Sequence, residues 1–218
     1  MTVELSEGLR GDRNQNGQAM GRKGLQTRQR LIDATVEQLE TTRLRDLRVS
    51  EIARKAGTSA ATFYVYFPDV TDAVLAALDE FTQSTPELLA LVKADWGSDA
   101  PDERARQIVQ MYVDFWTSHA GLLRVRNLAS DEGDERFRRA REVAIRPMLE
   151  ATAAAVDRAQ RAGWVPAELD PAATAGVLMA MLERFAAVQN SYRPAPDRSA
   201  MVAAAAHILA GMMGPAQR

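Results

Sequence analysis

Cysteine is absent from this chain of 218 residues, and its only two histidines, His119 and His207, lie far apart in the sequence. The absence of thiols excludes disulfides and thiolate metal sites, and two separated histidines give no basis for a metal centre. The sequence also lacks a phosphate-binding glycine loop, a dinucleotide fingerprint and a G-x-S-x-G nucleophile elbow. We therefore expect no cofactor, no bound metal and no enzymatic activity.

Long hydrophobic runs are missing as well. No uninterrupted stretch of about 18 apolar residues, the length that a membrane-spanning helix needs, is visible in the sequence. The opening residues, MTVELSEGLRGDRNQNGQ, are polar throughout. They lack the basic-then-apolar pattern of a signal peptide. A cytoplasmic protein with no membrane partner is expected.

The second half of the chain lacks the polar–apolar alternation of strands, and its alanine, leucine, methionine and valine residues recur at helical spacing. This pattern predicts an all-α fold. Breaks rich in glycine, proline and acidic residues mark the helix ends. Outside Arg48–Phe67, the predicted helices are Thr27–Thr41, Asp69–Ser84, Pro86–Trp96, Pro101–Ser118, His119–Ala129, Asp134–Ala162, Pro171–Tyr192 and Pro196–Met213.

The stretch Arg48–Phe67, RVSEIARKAGTSAATFYVYF, predicts a helix-turn-helix. Gly57 ends the first short helix, because glycine tolerates the positive φ of a helix C-terminus. Ser59 is expected to cap the second helix, and Phe63 and Phe67 lie four residues apart as its inward anchors. A second helix of this kind fits the DNA major groove. The apolar stripe of the first helix is Val49, Ile52, Ala53 and Ala56.

The motif AGTSAATFYVYF, preceded by SEIA and followed by a proline and an acidic turn, resembles the DNA-binding signature of TetR-type transcriptional regulators. The resemblance covers about Gln26–Glu80. It implies a helix-turn-helix domain with a three-helix core and a connecting helix (25–84), and a C-terminal helical domain for effector binding and dimerisation (85–218). Residues 1–24 are polar and glycine-rich with several basic residues, and we expect them to form a flexible basic arm. Val70 stands where the family commonly has a phosphate-gripping lysine, so that contact must come from elsewhere.

Charge and side-chain chemistry point to double-stranded DNA as a partner. Residues 8–66 hold 11 Lys and Arg against 6 Asp and Glu, whereas residues 67–100 hold 1 against 7. The basic block thus coincides with the helix-turn-helix. We expect base contacts from Thr62 and Ser50, apolar contacts from small side chains at the start of the second helix, and phosphate contacts from tyrosines and basic residues. The predicted DNA-binding residues are Arg22, Lys23, Arg48, Ser50, Ser59, Ala60, Ala61, Thr62, Tyr64 and Tyr66.

Two interpretations are open for Arg22 and Lys23, which lie just before the first predicted helix. They belong either to an untethered tail or to a basic arm that holds DNA. A run of arginines at Arg136–Arg141 alternates with acids, lies far from the motif in sequence, and is interpreted as solvated surface.

A stripe of methionine and aromatic residues in the C-terminal half suggests a ligand site. At helical spacing such a stripe is more often plain core, but Pro147 inside the long helix should kink it and leave space. The resemblance, which implies an effector-binding C-terminal domain, favours a small hydrophobic ligand. The predicted ligand-binding residues are Met111, Tyr112, Phe115, Trp116, Leu122, Met148, Thr152, Met179, Leu182 and Phe185.

The last two predicted helices, about 171–192 and 196–213, are rich in alanine and glycine. They are either internal or, as a palindromic operator would require, the homodimer interface. The sequence thus predicts a homodimeric regulator, a repressor that a small hydrophobic ligand releases from a palindromic operator. Two alternatives stay open, namely a helical binding protein whose helix-turn-helix no longer binds DNA, and an enzyme that uses the apolar cavity.

Overall fold

The computed structural model describes residues 15, 17–82, 86–97, 100–189 and 197–215. Within these ranges the chain forms ten α-helices and a short 3-10 turn, so the predicted all-α fold is confirmed. The helices are α1 (Arg22–Leu39), α2 (Val49–Lys55), α3 (Ala60–Tyr66), α4 (Val70–Thr82), α5 (Pro86–Lys93), α6 (Pro101–Ser118), α7 (Ala120–Asp131), α8 (Glu135–Arg161), α9 (Pro171–Val188) and α10 (Arg198–Met213).

The described chain forms two compact units. The first contains the described residues up to 82 together with Gly121–Arg141, and the second contains 86–97, 100–120, 142–189 and 197–215. The first break lies close to the predicted domain boundary at 84. The sequence, however, placed Gly121–Arg141 in the C-terminal domain, and the structure packs this segment with the helix-turn-helix. The predicted functional roles of the domains stay predictions.

The first unit is built on α1, which packs against α2 and α4, while α2 packs against α3. Its core contains fully buried Leu31, Ile52 and Phe63. Three residues from beyond α6 are buried in the same core, namely Leu122, Val125 and Phe137. The interior of this unit is therefore completed by residues that the sequence pattern alone does not connect to the helix-turn-helix.

Helix α1 begins earlier than predicted. The sequence pattern predicts a start at Thr27, with Arg22 and Lys23 in the preceding arm, but both residues lie in the first turn of α1. Gly21, in an extended conformation, precedes the helix and makes no side-chain capping hydrogen bond. Basic residues oppose the helix dipole at an N-terminus, and without a capping side chain the start carries no sequence signal.

The second unit packs α6 against α9 and α10, and α5 against α6. Acidic caps start the last two helices: the Asp170 carboxylate accepts from the Ala173 amide at 2.7 Å, and the Asp197 carboxylate accepts from the Ala200 amide at 3.1 Å. These caps explain why α9 and α10 begin close to their predicted positions.

Among the described residues, α9 alone passes a length and composition test for a membrane-crossing helix. Its sequence is not an uninterrupted apolar run, because Glu183 and Arg184 lie within it. Leu178, Met179 and Leu182 of α9 are buried in the second unit. A core helix passes the same test, and the packing of α9 against α6 fits that interpretation.

Candidate functional site

The turn between α2 and α3 has the predicted geometry. Gly57 adopts φ +69°, the left-handed conformation that favours glycine. Its amide donates to the Arg54 carbonyl at 3.1 Å, and the Thr58 amide donates to the Ala53 carbonyl at 2.9 Å. These bonds satisfy the free carbonyls at the end of α2 and turn the chain sharply into α3.

Helix α3 is capped and anchored as the sequence predicted. The Ser59 side-chain oxygen accepts a hydrogen bond from the Thr62 amide at 3.1 Å. Phe63 and Phe67 are buried, with ring centroids 5.6 Å apart. The two aromatic rings hold one face of the helix against the core, which leaves the opposite face to solvent.

The outer face of α3 carries small and polar side chains. Tyr64 is 52% exposed and Ala61 is exposed, whereas Ala60, Thr62 and Tyr66 are half-buried. The surface is therefore shallow at its N-terminal end and bears the Tyr64 hydroxyl towards its C-terminal end, whereas Tyr66 packs against the core of the first unit. Such a face can approach base edges closely while hydroxyls reach the phosphate backbone.

Further predicted residues lie exposed at the starts of α1 and α2. Arg48 is the exposed N-cap residue of α2, where its side chain makes no capping bond, and exposed Ser50 follows in the first turn. Arg22 and Lys23 are exposed at the start of α1. The backbone amide of Gln15, in the preceding segment, donates to the Val65 carbonyl of α3 at 3.1 Å.

Ion pairs fix the helices around α3. Arg28 Nη1 of α1 lies 3.2 Å from Glu80 Oε1 of α4, and the Arg28 guanidinium lies 5.4 Å from the centre of the Phe67 ring. Lys55 Nζ of α2 lies 2.5 Å from Glu37 Oε1 of α1. The Arg28 side chain is largely buried, so its pair with Glu80 orders both helices more than a fully solvated pair would.

The start of α4 is acidic, close to Val70, which stands where TetR-type regulators commonly have a phosphate-binding lysine. Asp69 Oδ1 accepts from the Asp72 amide at 2.9 Å. Burial raises the pKa of the Asp72 carboxyl, the charge of Asp69 adds to this, and Arg136 opposes it. Arg136 itself is hydrogen-bonded to Asp134 at 2.9 Å and belongs to the first unit. Arg136 lies far from α4 in the sequence, so the sequence pattern gives no sign that the two belong to one compact unit.

The predicted ligand residues of the second unit lie on α6, α8 and α9. Trp116, Met148, Thr152, Met179 and Leu182 are buried. Their neighbours Met111, Tyr112, Phe115 and Phe185 are half-buried. Leu122 does not belong with these residues, because it packs in the core of the first unit. It is therefore not part of the proposed ligand site.

A cavity of about 340 Å³ lies between α5 and α8. Both charged and apolar side chains line this cavity, and none of the predicted ligand residues does so. The residues around it are Lys93, Pro147, Glu150, Ala151, Ala154 and Arg158.

Comparison with known proteins adds the family. The model described as "Tetracyclin repressor-like, C-terminal domain" matches residues 88–214, and "Bacterial regulatory proteins, tetR family" matches residues 31–78. The chain belongs to the tetR family. As a member of this family it is a DNA-binding transcriptional regulator with a helix-turn-helix, and not an enzyme.

Individual proteins and solved structures also resemble the chain. The "Uncharacterized HTH-type transcriptional regulator YdgC" of Bacillus subtilis is 25% identical over 76% of this chain and 82% of the relative. The structure of a tetR-family transcriptional regulator from Streptomyces coelicolor has a TM-score of 0.68 at 17% identity, covering 88% of this chain and 82% of that one. The transcriptional regulator FadR from Bacillus subtilis, solved in complex with stearoyl-CoA, has a TM-score of 0.67 at 16% identity, covering 84% of this chain and 97% of that one. At these identities the structural matches show the fold.

Proposed function

We propose that the protein is a cytoplasmic homodimeric repressor that leaves a palindromic operator when a small hydrophobic effector binds its second unit. The observation that carries the proposal is the exposed outer face of α3, mounted on the buried pair Phe63 and Phe67. A recognition helix with one face buried in the core and the opposite face exposed to solvent is suited to insertion into the major groove.

Contacts to DNA are assigned by chemistry. Thr62 and Ser50 read base edges, and Ala60 and Ala61 contact thymine methyl groups. Ser59 lies at the same end of the recognition helix. We assign phosphate contacts to five residues whose side chains are exposed or half-buried, namely Arg22, Lys23, Arg48, Tyr64 and Tyr66.

The effector site is assigned to the aromatic and methionine cluster of α6, α8 and α9. Tyr112 and Trp116 stack with centroids 6.4 Å apart, and Thr152 supplies a buried hydroxyl. The stearoyl-CoA complex of the structural relative FadR supports a ligand with a large apolar part. The cluster is completed by Met111, Phe115, Met148, Met179, Leu182 and Phe185.

The homodimer is assigned to α9 and α10. Val177 on α9 is 70% exposed and Ile208 on α10 is 47% exposed, and exposed small residues such as Ala180 and Ala204 accompany them. The small alanine side chains allow two helix pairs to approach closely around a two-fold axis, and the exposed large apolar side chains would be buried in such an interface. Two copies are also what a palindromic operator requires.

The test is fluorescence anisotropy with a duplex from the region upstream of the gene. We expect tight binding at 50 mM salt and a loss of roughly a thousandfold or more in affinity at 200 mM, as for a protein that neutralises several phosphates. Adding stearoyl-CoA, and separately the uncharged probe dodecanol, should show whether an apolar compound releases the duplex. Binding that is insensitive to salt, or its absence at low salt, would contradict the DNA-binding assignment.

A matched pair of variants tests the effector site. Phe185→Ala removes a half-buried ring of the cluster, and Met212→Ala removes a half-buried side chain of α10 outside it. If the cluster binds the effector, only Phe185→Ala weakens release of the duplex by the active probe, and operator affinity without probe is unchanged. An equal effect of both variants would contradict this site.

A further inference from the structure

The segment Gly121–Arg141 completes the DNA-reading unit although it lies far along the chain from α3. Leu122, Val125 and Phe137 are buried in the same core as Leu31 and Phe63. The family model for the N-terminal domain, which matches residues 31–78, does not include them. The unit that carries the recognition helix is therefore larger than its sequence motif.

Helix α7 meets the end of α1 at a contact that only glycine permits. A Cβ placed on Gly121 would lie 2.5 Å from the Leu39 carbonyl oxygen and 2.8 Å from Glu40 Oε1. Real Cβ atoms essentially never approach backbone atoms so closely, so a larger residue here would move α7 away from α1.

Two hydrogen bonds reinforce this contact. The Gly121 amide donates to Glu40 Oε1 at 3.2 Å, and Arg124 Nη2 donates to the Leu39 carbonyl at 3.1 Å. Each bond involves a backbone group at a helix end, where the helix itself supplies no hydrogen-bond partner. These groups are the Gly121 amide in the first turn of α7 and the Leu39 carbonyl in the last turn of α1. Each bond therefore satisfies a group that the helix itself leaves free.

The contact bears on the recognition helix through α1. This helix packs against α2 and α4, and its Glu37 pairs with Lys55 at the end of α2. Helix α2 in turn packs against α3. A shift at the C-terminal end of α1 is thus transmitted to the pair of helices that meets DNA, because the packed interior resists continuous deformation.

We propose that Gly121, Arg124 and Glu40 are positioning residues for DNA recognition, which hold the end of α1 so that α3 presents its outer face at the angle that sequence-specific binding needs. They act through α1 and do not touch DNA themselves. The inference uses only the DNA-binding function and is independent of the effector and of the dimer interface.

The test compares a specific with a non-specific duplex. An operator is selected from random duplexes with the wild-type protein, and dissociation constants for it and for a scrambled duplex are measured on Arg124→Ala and Glu40→Ala. A tilted α3 loses base contacts but keeps phosphate contacts, so operator affinity should fall roughly fivefold or more while non-specific affinity stays within about twofold.

The controls separate positioning from folding and from charge. Arg124→Lys keeps a donor, Glu40→Gln keeps the acceptor oxygen, and Leu128→Ala alters an exposed residue of the same helix. All three should retain the wild-type ratio of operator to non-specific affinity. Gly121→Ala should lower that ratio furthest. If circular dichroism shows that this variant does not fold, the Arg124→Ala and Glu40→Ala variants test the positioning role without it.

Two results would overturn the inference. If operator and non-specific affinity fall together, the variants have lost folded protein, or Arg124 itself contacts phosphate. If neither affinity changes in Arg124→Ala and Glu40→Ala, the attachment of α7 has no part in positioning α3.

Discussion

The side-chain oxygen of Ser59 accepts a hydrogen bond from the Thr62 amide at 3.1 Å and lies 3.0 Å from the Thr62 hydroxyl. One side chain thus caps α3 and holds the residue that we propose reads bases. Ser59 therefore bears both on the stability of α3 and on the proposed DNA contacts, and different substitutions at this position distinguish the two effects.

Ser59→Ala should lower the free energy of unfolding by about 1 kcal/mol, because it removes the cap of α3. Ser59→Asp keeps a capping oxygen and suits the positive helix end, but it places a negative charge towards phosphate. We expect this variant to unfold like the wild type in urea and to bind DNA more weakly. Wild-type DNA affinity in Ser59→Asp would show that Ser59 does not face DNA.

Tyr64→Phe removes one exposed hydroxyl from α3 and leaves the ring in place. Because a phosphate contact carries no sequence information, affinity should fall by a similar factor for every duplex, equivalent to about 1 kcal/mol. Competition binding with a set of single-base operator variants measures this. A changed order of preference among these duplexes would mean that Tyr64 reads bases.

Asp72→Asn should stabilise the protein slightly at neutral pH. Burial, with help from Asp69, raises the pKa of the Asp72 carboxyl above its ordinary value of 3.8, so the folded state disfavours the ionised form. That penalty is present above the folded pKa and disappears below 3.8, where the wild-type carboxyl is protonated in both states. The gain should be about 0.5 kcal/mol or less, since the carboxyl is partly exposed.

Thermal melting of the Asp72→Asn variant and the wild type across pH 3 to pH 7 measures this difference. Asp79→Asn, on the same helix and also half-buried, controls for the change from acid to amide. A stability gain in Asp72→Asn that persists unchanged at pH 3, or a loss at pH 7, would contradict the assigned cause.

Val177→Glu and Ile208→Glu should each shift the protein from dimer towards monomer. A carboxylate in an apolar interface between two copies is desolvated without a partner, so the dimer dissociation constant should rise roughly tenfold or more. Sedimentation velocity over a concentration series measures it, and Leu169→Glu, at a partly exposed leucine just before α9, is the control. If both variants stay dimeric at every concentration, the interface lies elsewhere.

The helix-turn-helix could be predicted from local sequence because each of its devices is local. Gly57 must supply positive φ, Ser59 must cap, and Phe63 and Phe67 must lie on one face; all are confirmed. The helices whose ends carry acids, proline or glycine were predicted most accurately, and α6 begins at Pro101 as expected.

Contacts between distant segments could not be predicted in this way. Nothing in the local pattern shows that Gly121 lies against Leu39, or that Leu122 belongs to the core of the first unit. The early start of α1 at Arg22 was missed because no side chain caps it. The ligand residues of α6, α8 and α9 share a stripe pattern with ordinary core, and periodicity does not distinguish the two.

The central claim is that the outer face of α3 enters the major groove. The most direct measurement is operator affinity of Ala61→Asp by fluorescence anisotropy, beside Ala90→Asp at an exposed alanine of α5. We predict that Ala61→Asp loses affinity by roughly a hundredfold or more with unchanged thermal stability, because a carboxylate faces base edges and phosphates, while Ala90→Asp binds like the wild type. Equal and undiminished binding by both variants would contradict it.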